Sequence, residues 1–320
     1  MESEVIVLGS GIIGLTSAVV LAEGGRRVTV WARETAEETT SALAGGLWWP
    51  YRIEPEHRVA DWSVRSFEVY AGQAERAAVT GVRMRTGLQL GAEVAGLGPW
   101  RRALREVRAA EPGELPGEYA TGVRATVPII DTATHLAHLH DRLAAAGGRV
   151  ERRTAVSLAG AGHAAPYVVN CTGLGARALV PDASVRPVQG QLVVVENPGV
   201  TEWVVSAYKD ATATLYALPQ PYGLVLGGTA VEDAWSTEPD PDVAAGIVAR
   251  CARVLPEVAD ARVVAHRAGL RPARPAVRLE AERLPGGALC VHNYGHGGAG
   301  VTVAWGCAEE AAGLLRAQPS

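Results

Sequence analysis

Val5-Ile6-Val7-Leu8-Gly9-Ser10-Gly11-Ile12-Ile13-Gly14 is the stretch on which the reading of this chain turns. Val5 to Leu8 has the apolar, β-branched character of a buried strand, and glycines follow at once, as a tight strand-to-helix turn requires. Leu15 to Glu23 reads as a helix, Gly24-Gly25 as its stop and Val28 to Trp31 as the next strand, which closes a β-α-β unit. In such a unit Gly9 permits the turn, Gly11 lets a diphosphate approach the backbone, and Gly14 lets helix and strand pack closely. The free N–H groups of the helix start then face the anion. Glu34 stands 20 residues beyond Gly14, where a carboxylate accepts hydrogen bonds from an adenosine ribose, and Arg33 beside it is placed to contact the same nucleotide. The uncharged run Val5 to Ala22 approaches the length of a membrane span. Its glycines and hydroxyls, with Glu2 and Glu4 on its flank, argue against a spanning helix or a signal peptide.

Working outward, 320 residues allow one large domain or two interlocked ones. A formal net charge of -4 offers no electrostatic case for nucleic acid or an anionic membrane as partner. The four cysteines, Cys171, Cys251, Cys290 and Cys307, form no CxxC pair and read as small buried residues of a reducing compartment, so the expected location is the cytoplasm. Residues 39–51 place Thr40, Ser41, Gly45 and Gly46 ahead of an aromatic cluster, Leu47-Trp48-Trp49-Pro50-Tyr51. Such a loop either holds a phosphate or ribityl chain or enters the core as an ordinary polar connection.

Val59 to Thr80 carries the spacing of an amphipathic helix, and glycine and proline then interrupt the chain repeatedly from Gly81 to Gly122. Pro128 to Thr132 ends a strand with Asp131 or Thr132 as N-cap, and Leu136, Leu139 and Leu143 trace one face of the helix that follows. His135, His138 and His140 lack a carboxylate or cysteine to complete a metal set and are expected on an exposed polar face. Tyr167 to Asn170 is a further buried strand, which puts Thr172 at the carboxyl end of a parallel sheet, where ligands collect. From Gln191 to Val231 the pattern changes to short alternating strands, the signature of an antiparallel sheet and of a second domain inserted into the first.

His266 to Pro275 packs three arginines into a segment that its prolines keep extended. Arg271 there is a candidate carboxylate clamp, against the commoner alternative of a solvated surface arginine. Leu289 to Tyr294 reads as a strand, residues 295–300 as a glycine turn and Val301 to Arg316 as a helix. A second glycine turn opening a helix, so far from the first, suits an elongated cofactor such as FAD. Its pyrophosphate would sit at the N-terminal helix and its ring system at the positive end of this one.

With these residues in view, the chain resembles the D-amino-acid oxidases over nearly its whole length. The resemblance is carried by residues 291–302 with Trp305-Gly306-Cys307-Ala308, by residues 269–275, by residues 44–51 and by Asn170-Cys171-Thr172-Gly173. It implies an α/β protein, a Rossmann-type FAD-binding domain with an inserted α+β substrate domain on a mainly antiparallel sheet. Residues 1–50, 130–185 and 270–320 would form the first, and residues 51–129 and 186–269 the second. The FAD would be non-covalent, and the resemblance places its contacts on Ser10, Gly11, Ile12, Ile13, Arg33, Thr40, Ser41, Gly46, Leu47, Val156, Thr172, Gly297, Gly300 and Thr302, to which the reading of the residues adds Gly9, Gly14, Glu34, Gly45 and Gly298. The resemblance further implies that Arg271 binds the substrate carboxylate, Tyr216 assists it, and the Gly298 carbonyl receives the amine. No side chain is then a dedicated acid or base: Cα loses hydride to the flavin, oxygen becomes hydrogen peroxide, and the imino acid hydrolyses to a 2-oxo acid and ammonia.

Ala230 stands where acidic-substrate members of the family resemble one another in carrying arginine. A second substrate carboxylate would therefore be buried unpaired, and neutral D-amino acids are expected, with oxygen as the other small-molecule partner. Ala299 stands where many relatives carry a larger residue. The family's lid tyrosine is not placed, since Tyr208 lies out of register, and Gln318-Pro319-Ser320 is no peroxisomal signal. D-aspartate oxidase, glycine or sarcosine oxidase, and a flavin-binding redox sensor without turnover are the competing readings. A homodimer is compatible with the sequence.

Overall fold

The opening segment folds as β1 (Val5–Leu8), α1 (Ile12–Glu23) and β2 (Val28–Ala32), with β1 and β2 parallel in a register that sets Val5 against Val28 and Leu8 against Trp31. This computed structural model describes residues 4–206 and 213–317. All of β1 is buried, as expected of a strand covered on both faces. Gly9 has a φ of +104°, and a Cβ there would sit 2.6 Å from the Cys171 carbonyl oxygen; a Cβ at Gly14 would sit 2.0 Å from the oxygen of Gly9. The turn thus excludes side chains at its first glycine through conformation and at its third because the helix folds back onto the turn.

α2 (Glu56–Gln73) buries Val59, Trp62, Phe67 and Tyr70 on one face. It stops earlier than its periodicity suggests: a 3-10 turn at Ala74–Arg76 and the short α3 (Ala77–Thr80) complete the run, closed by Gly81 at φ +71°. The glycine-interrupted region is not irregular, for it holds β3 (Val82–Leu90), β4 (Val107–Ala109) and the start of β5 (Gly122–Ile130). Gly87 conceals β3 in the sequence. A Cβ there would meet the Trp203 carbonyl oxygen at 2.1 Å and its indole at 2.3 Å, so this glycine admits a neighbouring strand rather than breaking its own.

α4 (Thr132–Ala145) is capped by Asp131, whose carboxylate accepts from the Thr134 N–H at 3.4 Å and from its hydroxyl at 2.7 Å. His135 and His138 do not lie on an exposed face: both are buried, and only His140 of the three is turned outward. The His135 Nδ1 is 2.8 Å from the Thr80 carbonyl, and its ring packs edge-on against Tyr70, centroids 5.5 Å apart. Packing against α3, which ends at Thr80, turns the face that carries His135 inward. Burial, reinforced by His138 and Arg142, pushes His135 down to about 4 from an ordinary 6.5. A neutral ring is therefore favoured by folding. Its contribution is whole above an unfolded-state pKa of ~6.5 and is lost as the pH falls toward 4. The melting temperature of the holoprotein is expected to drop across that window, and less steeply in His135→Asn than in the parent. Equal slopes for the two proteins would remove His135 from the account.

The chain continues through β6 (Arg149–Arg152), α5 (Leu158–Ala164), β7 (Tyr167–Asn170), α6 (Ala176–Leu179), β8 (Arg186–Val195), β9 (Trp203–Ser206), β10 (Ala213–Gln220), β11 (Gly223–Thr229) and β12 (Val231–Glu232). It closes with α7 (Pro241–Ala252), β13 (Val263–Arg283), β14 (Leu289–His296) and α8 (Gly300–Arg316). The described strands form one 14-stranded sheet in the order β4-β5-β3-β9-β10-β11-β8-β13-β14-β7-β1-β2-β6, with β12 beside β8. β14, β7, β1, β2 and β6 are mutually parallel, the Rossmann-type half. From β13 to β9 every pairing is antiparallel, and β3 then joins β9 in parallel.

The 21-residue β13 joins the halves: Val263 to Ala273 pair with β8, and Ala273 to Arg283 with β14. Its register shifts between Ala273 and Arg278, around Pro275, which has no N–H for the ladder. The extended backbone expected of the arginine and proline segment is thus present as a strand interior. Trp48, Trp49, Trp100 and Phe67 pack edge to face with centroids 4.7–5.7 Å apart and hold the loop before Tyr51 in the core. All four cysteines are unpaired. No helix among the described residues is long and apolar enough to cross a membrane.

Candidate active site

A cavity of about 980 Å³ runs from the carboxyl ends of β1 and β7 to the face of β8, β9 and β10, at the upper end of the ~300–1,000 Å³ usual for small-molecule sites. Its first end is the start of α1, which has no acidic residue in its first turn and no side-chain bond from its N-cap. The Ile12 N–H donates to the Ser41 hydroxyl at 3.0 Å, and the Ser10 hydroxyl donates to the Glu34 carbonyl at 2.9 Å, so the turn is braced by the loop that follows β2. That loop is tied in turn to the rest of the wall. Thr40 donates to the Leu270 carbonyl at 3.1 Å, and Gln220 donates to the carbonyls of Gly45 at 2.9 Å and Ile130 at 3.0 Å. The start of α8 opens on the cavity beside it, where Gly298, Gly300 and Val301 face the cavity, again with neither an acidic first turn nor a capping side chain. Two helix N-termini without an N-cap side chain open on one cavity, close enough that a Cβ on Gly300 would meet Ile12 Cγ2 at 3.5 Å, and they fit a molecule with a diphosphate at one helix start and a ring that gains negative charge at the other.

Nearly every residue expected around a cofactor lies on this wall: the turn Gly9–Gly14, Arg33 and Glu34, Thr40 and Ser41, Gly45 to Leu47, Val156, Thr172, and Gly297, Gly298 and Gly300. Thr302 does not. It is buried, its hydroxyl 3.3 Å from both the N–H and the carbonyl of Trp49, because the turn of α8 that aims Val301 at the cavity aims position 302 at the tryptophan loop. The Glu34 carboxylate is paired with its neighbour, 2.6 Å from Nη2 of Arg33. The Thr172 hydroxyl donates to Asn170 Oδ1 at 2.7 Å, and the Asn170 amide nitrogen lies 3.2 Å from His292 Nδ1. Val156 is 90% exposed, an apolar side chain at the mouth.

Tyr216 on β10 and Arg271 on β13 meet at the other end, hydroxyl beside guanidinium. Arg271 Nη1 donates to the Thr229 carbonyl at 2.8 Å. The guanidinium lies where a Cβ on Gly190 would fall 2.2–2.4 Å from its atoms, and a Cβ on Gly298 would approach the Arg271 stem at 3.1 Å. Two glycines therefore make the slot that the arginine fills. A third makes room for the phenol, since a Cβ on Gly227 would overlap the Tyr216 ring at 1.8 Å. Burial raises the pKa of Tyr216 and Arg271 opposes it; the phenol stays protonated and can donate. His296 on the same wall is pushed down to about 3 by burial and adds no charge. Ala230 is buried in the wall and contributes no cation. Tyr208 lies outside the described residues, as does the C-terminal Gln318-Pro319-Ser320.

The family described as FAD dependent oxidoreductase (DAO) matches residues 4–314. The chain belongs to this family. It is 60% identical to a D-amino-acid oxidase of Streptomyces coelicolor over 98% of this chain and 97% of that protein. It is 49% identical to a D-amino-acid oxidase of Rubrobacter xylanophilus, with 98% and 95% covered. A human D-aspartate oxidase is 32% identical, with 98% and 94% covered. Glycine oxidase from Geobacillus kaustophilus superposes with a TM-score of 0.80 at 18% identity, covering 100% of this chain and 96% of that one, a likeness of fold.

In this FAD dependent oxidoreductase three wall residues escape a reading by motif. Tyr51 is half-buried, its phenol oxygen enclosed without a hydrogen-bond partner among the described residues; burial raises its pKa while Arg52 and Arg271 act against that rise. The aromatic loop was a signal that something there mattered. It could not tell that Trp48 joins the core, that Trp49 belongs both to the core and to the cavity wall, and that Tyr51 faces the substrate end. Val205 and Gln89 on β9 and β3 carry no local signal, because only strand pairing brings them to the cavity.

Proposed function

We propose that the chain is a D-amino-acid oxidase that converts neutral D-amino acids to 2-oxo acids, ammonia and hydrogen peroxide. The observation that carries this reading is the juxtaposition of Arg271 and Tyr216 with the start of α8 in a cavity that ends at the glycine turn of α1. The turn Gly9–Gly14 with Ser41 would hold the FAD diphosphate, and Arg33 and Glu34 its adenosine end. Gly45 to Leu47, Thr172 and Gly297 to Gly300 would line the remainder. FAD held there would supply the hydride acceptor and the redox link to oxygen. Arg271, already committed to Thr229 through Nη1, keeps further N–H groups for the substrate carboxylate, and the Tyr216 hydroxyl donates beside them. The Gly298 carbonyl receives the amine, which fixes Cα above the start of α8; orientation rather than proton transfer by a side chain then supplies the rate.

The change of strand direction at β13 supports a discontinuous division of the chain. Residues 1–50, 130–185 and 270–320 would bind FAD, and residues 51–129 and 186–269 would carry the substrate wall. Neutral substrates are favoured because a second carboxylate beside Ala230 would be desolvated without a partner. A cytoplasmic location agrees with the unpaired cysteines, and a homodimer remains part of the proposal.

Anaerobic addition of D-alanine or D-valine to the yellow protein is expected to bleach its visible band, and air to restore it with hydrogen peroxide. D-aspartate is expected to act far more slowly. Preference for D-aspartate or glycine would transfer the chain to those oxidases, and no bleaching by any D-amino acid would leave a flavin-binding module.

A further inference from the structure

The row of residues that crosses the sheet through Tyr216 continues away from Arg271. Tyr216 pairs with Val205 and Val205 with Gln89, so the Gln89 backbone stands two strands, roughly 10 Å, beyond Tyr216. Gln89 lines the same cavity, and its Oε1 is enclosed with no hydrogen-bond partner among the described residues. The wall between the two is apolar, with Trp49, Val205 and Leu218. An amide oxygen left bare in such a place costs on the order of 1–3 kcal/mol, so a partner arriving with the ligand is the economical explanation.

The charges on the wall narrow the ligand. Among the described residues its carboxylates are Glu34 and Glu38, which stand with Arg33 and Arg152 at the opposite, adenosine end. A cationic side chain drawn to Gln89 would be buried without a counter-charge; the wall's other arginines are Arg153, and Arg267 and Arg271 on β13, five strands from β3, so an anionic one would lack a counter-charge beside Gln89 as well. A primary amide offers an N–H and a carbonyl together and therefore matches the Gln89 amide in either rotation of its terminal group. We propose that Gln89 is a specificity-determining residue that pairs with the terminal amide of a long neutral D-amino acid, D-glutamine being the representative. The inference rests on the oxidase reading above, with Arg271 anchoring the carboxylate.

D-glutamine, D-methionine and D-alanine separate the possibilities. The first two have side chains of comparable length, and only one carries an amide; D-alanine is too short to reach Gln89 and gives the baseline of each protein. The parent is expected to prefer D-glutamine to D-methionine, and Gln89→Met to lower the ratio of their kcat/KM values about tenfold, through KM. Equal changes for both substrates, or none, would overturn the assignment, as would a preference of the parent for D-arginine over D-glutamine. Should Gln89→Met fail to give yellow protein, the ratio in the parent decides, and a preference for D-methionine sinks the proposal. Failure of the parent to oxidise D-alanine would instead refute the oxidase reading itself.

Discussion

Arg271→Ala is expected to give a protein as yellow as its parent with kcat/KM for D-alanine reduced by roughly 30-fold to several thousand-fold. The range corresponds to the ~2–5 kcal/mol lost when one side of a desolvated charge pair is removed. The guanidinium sits in a slot made by Gly190 and Gly298 and is anchored on the Thr229 carbonyl, on residues other than those of the turn expected to hold the diphosphate. FAD binding and substrate binding should therefore separate. The loss is expected mainly in KM, because the carboxylate is bound alike in the ground state and in the transition state, with some loss in kcat where Cα is no longer held over the ring. Steady-state kinetics on protein of measured flavin content checks this. Unchanged saturation would show that the arginine does not touch substrate, and loss of the flavin would show that it serves the cofactor instead.

Gly14→Ala attacks the other end. Its Cβ would lie 2.0 Å from the Gly9 oxygen, a contact that backbone must relieve. The only relief is displacement of the Gly9–Gly14 turn, whose N–H groups are the anion site, so the strain falls on cofactor affinity. Overpacking of this kind costs about 1–3 kcal/mol, roughly 5- to 150-fold, and the purified variant is expected to be pale and to take up added FAD weakly. Far-ultraviolet circular dichroism should stay near that of the parent, since α1 and β1 lie on either side of the turn. A fully yellow variant with parental affinity would show that the diphosphate lies elsewhere.

What the linear chain settled was what depends on neighbours a few residues apart. Strand, turn and helix at Val5–Glu23, the second glycine turn ahead of α8, and the extended course of Arg271 through Pro272 and Pro275 all follow from local rules. Glycine alone accepts the backbone angles, proline lacks an N–H, and a helix start leaves its donors free. The side on which a residue ends was decided elsewhere. Thr302 and Val301 are adjacent, yet one bonds to Trp49 and the other faces the cavity. His135, expected on an exposed face, is buried against Tyr70, and the stretch from Gly81 to Gly122 that glycine and proline interrupt holds Gly87 inside a strand. Tyr216 and Arg271 meet only because β10, β11, β8 and β13 are adjacent in one sheet, while Gln89 joins the row of Tyr216 through β3 and β9. The pairing of β8 with β13 joins residues 68 to 87 positions apart and that of β3 with β9 residues 116 apart, and their register rests on burial of whole sheet faces, which no short window of sequence contains.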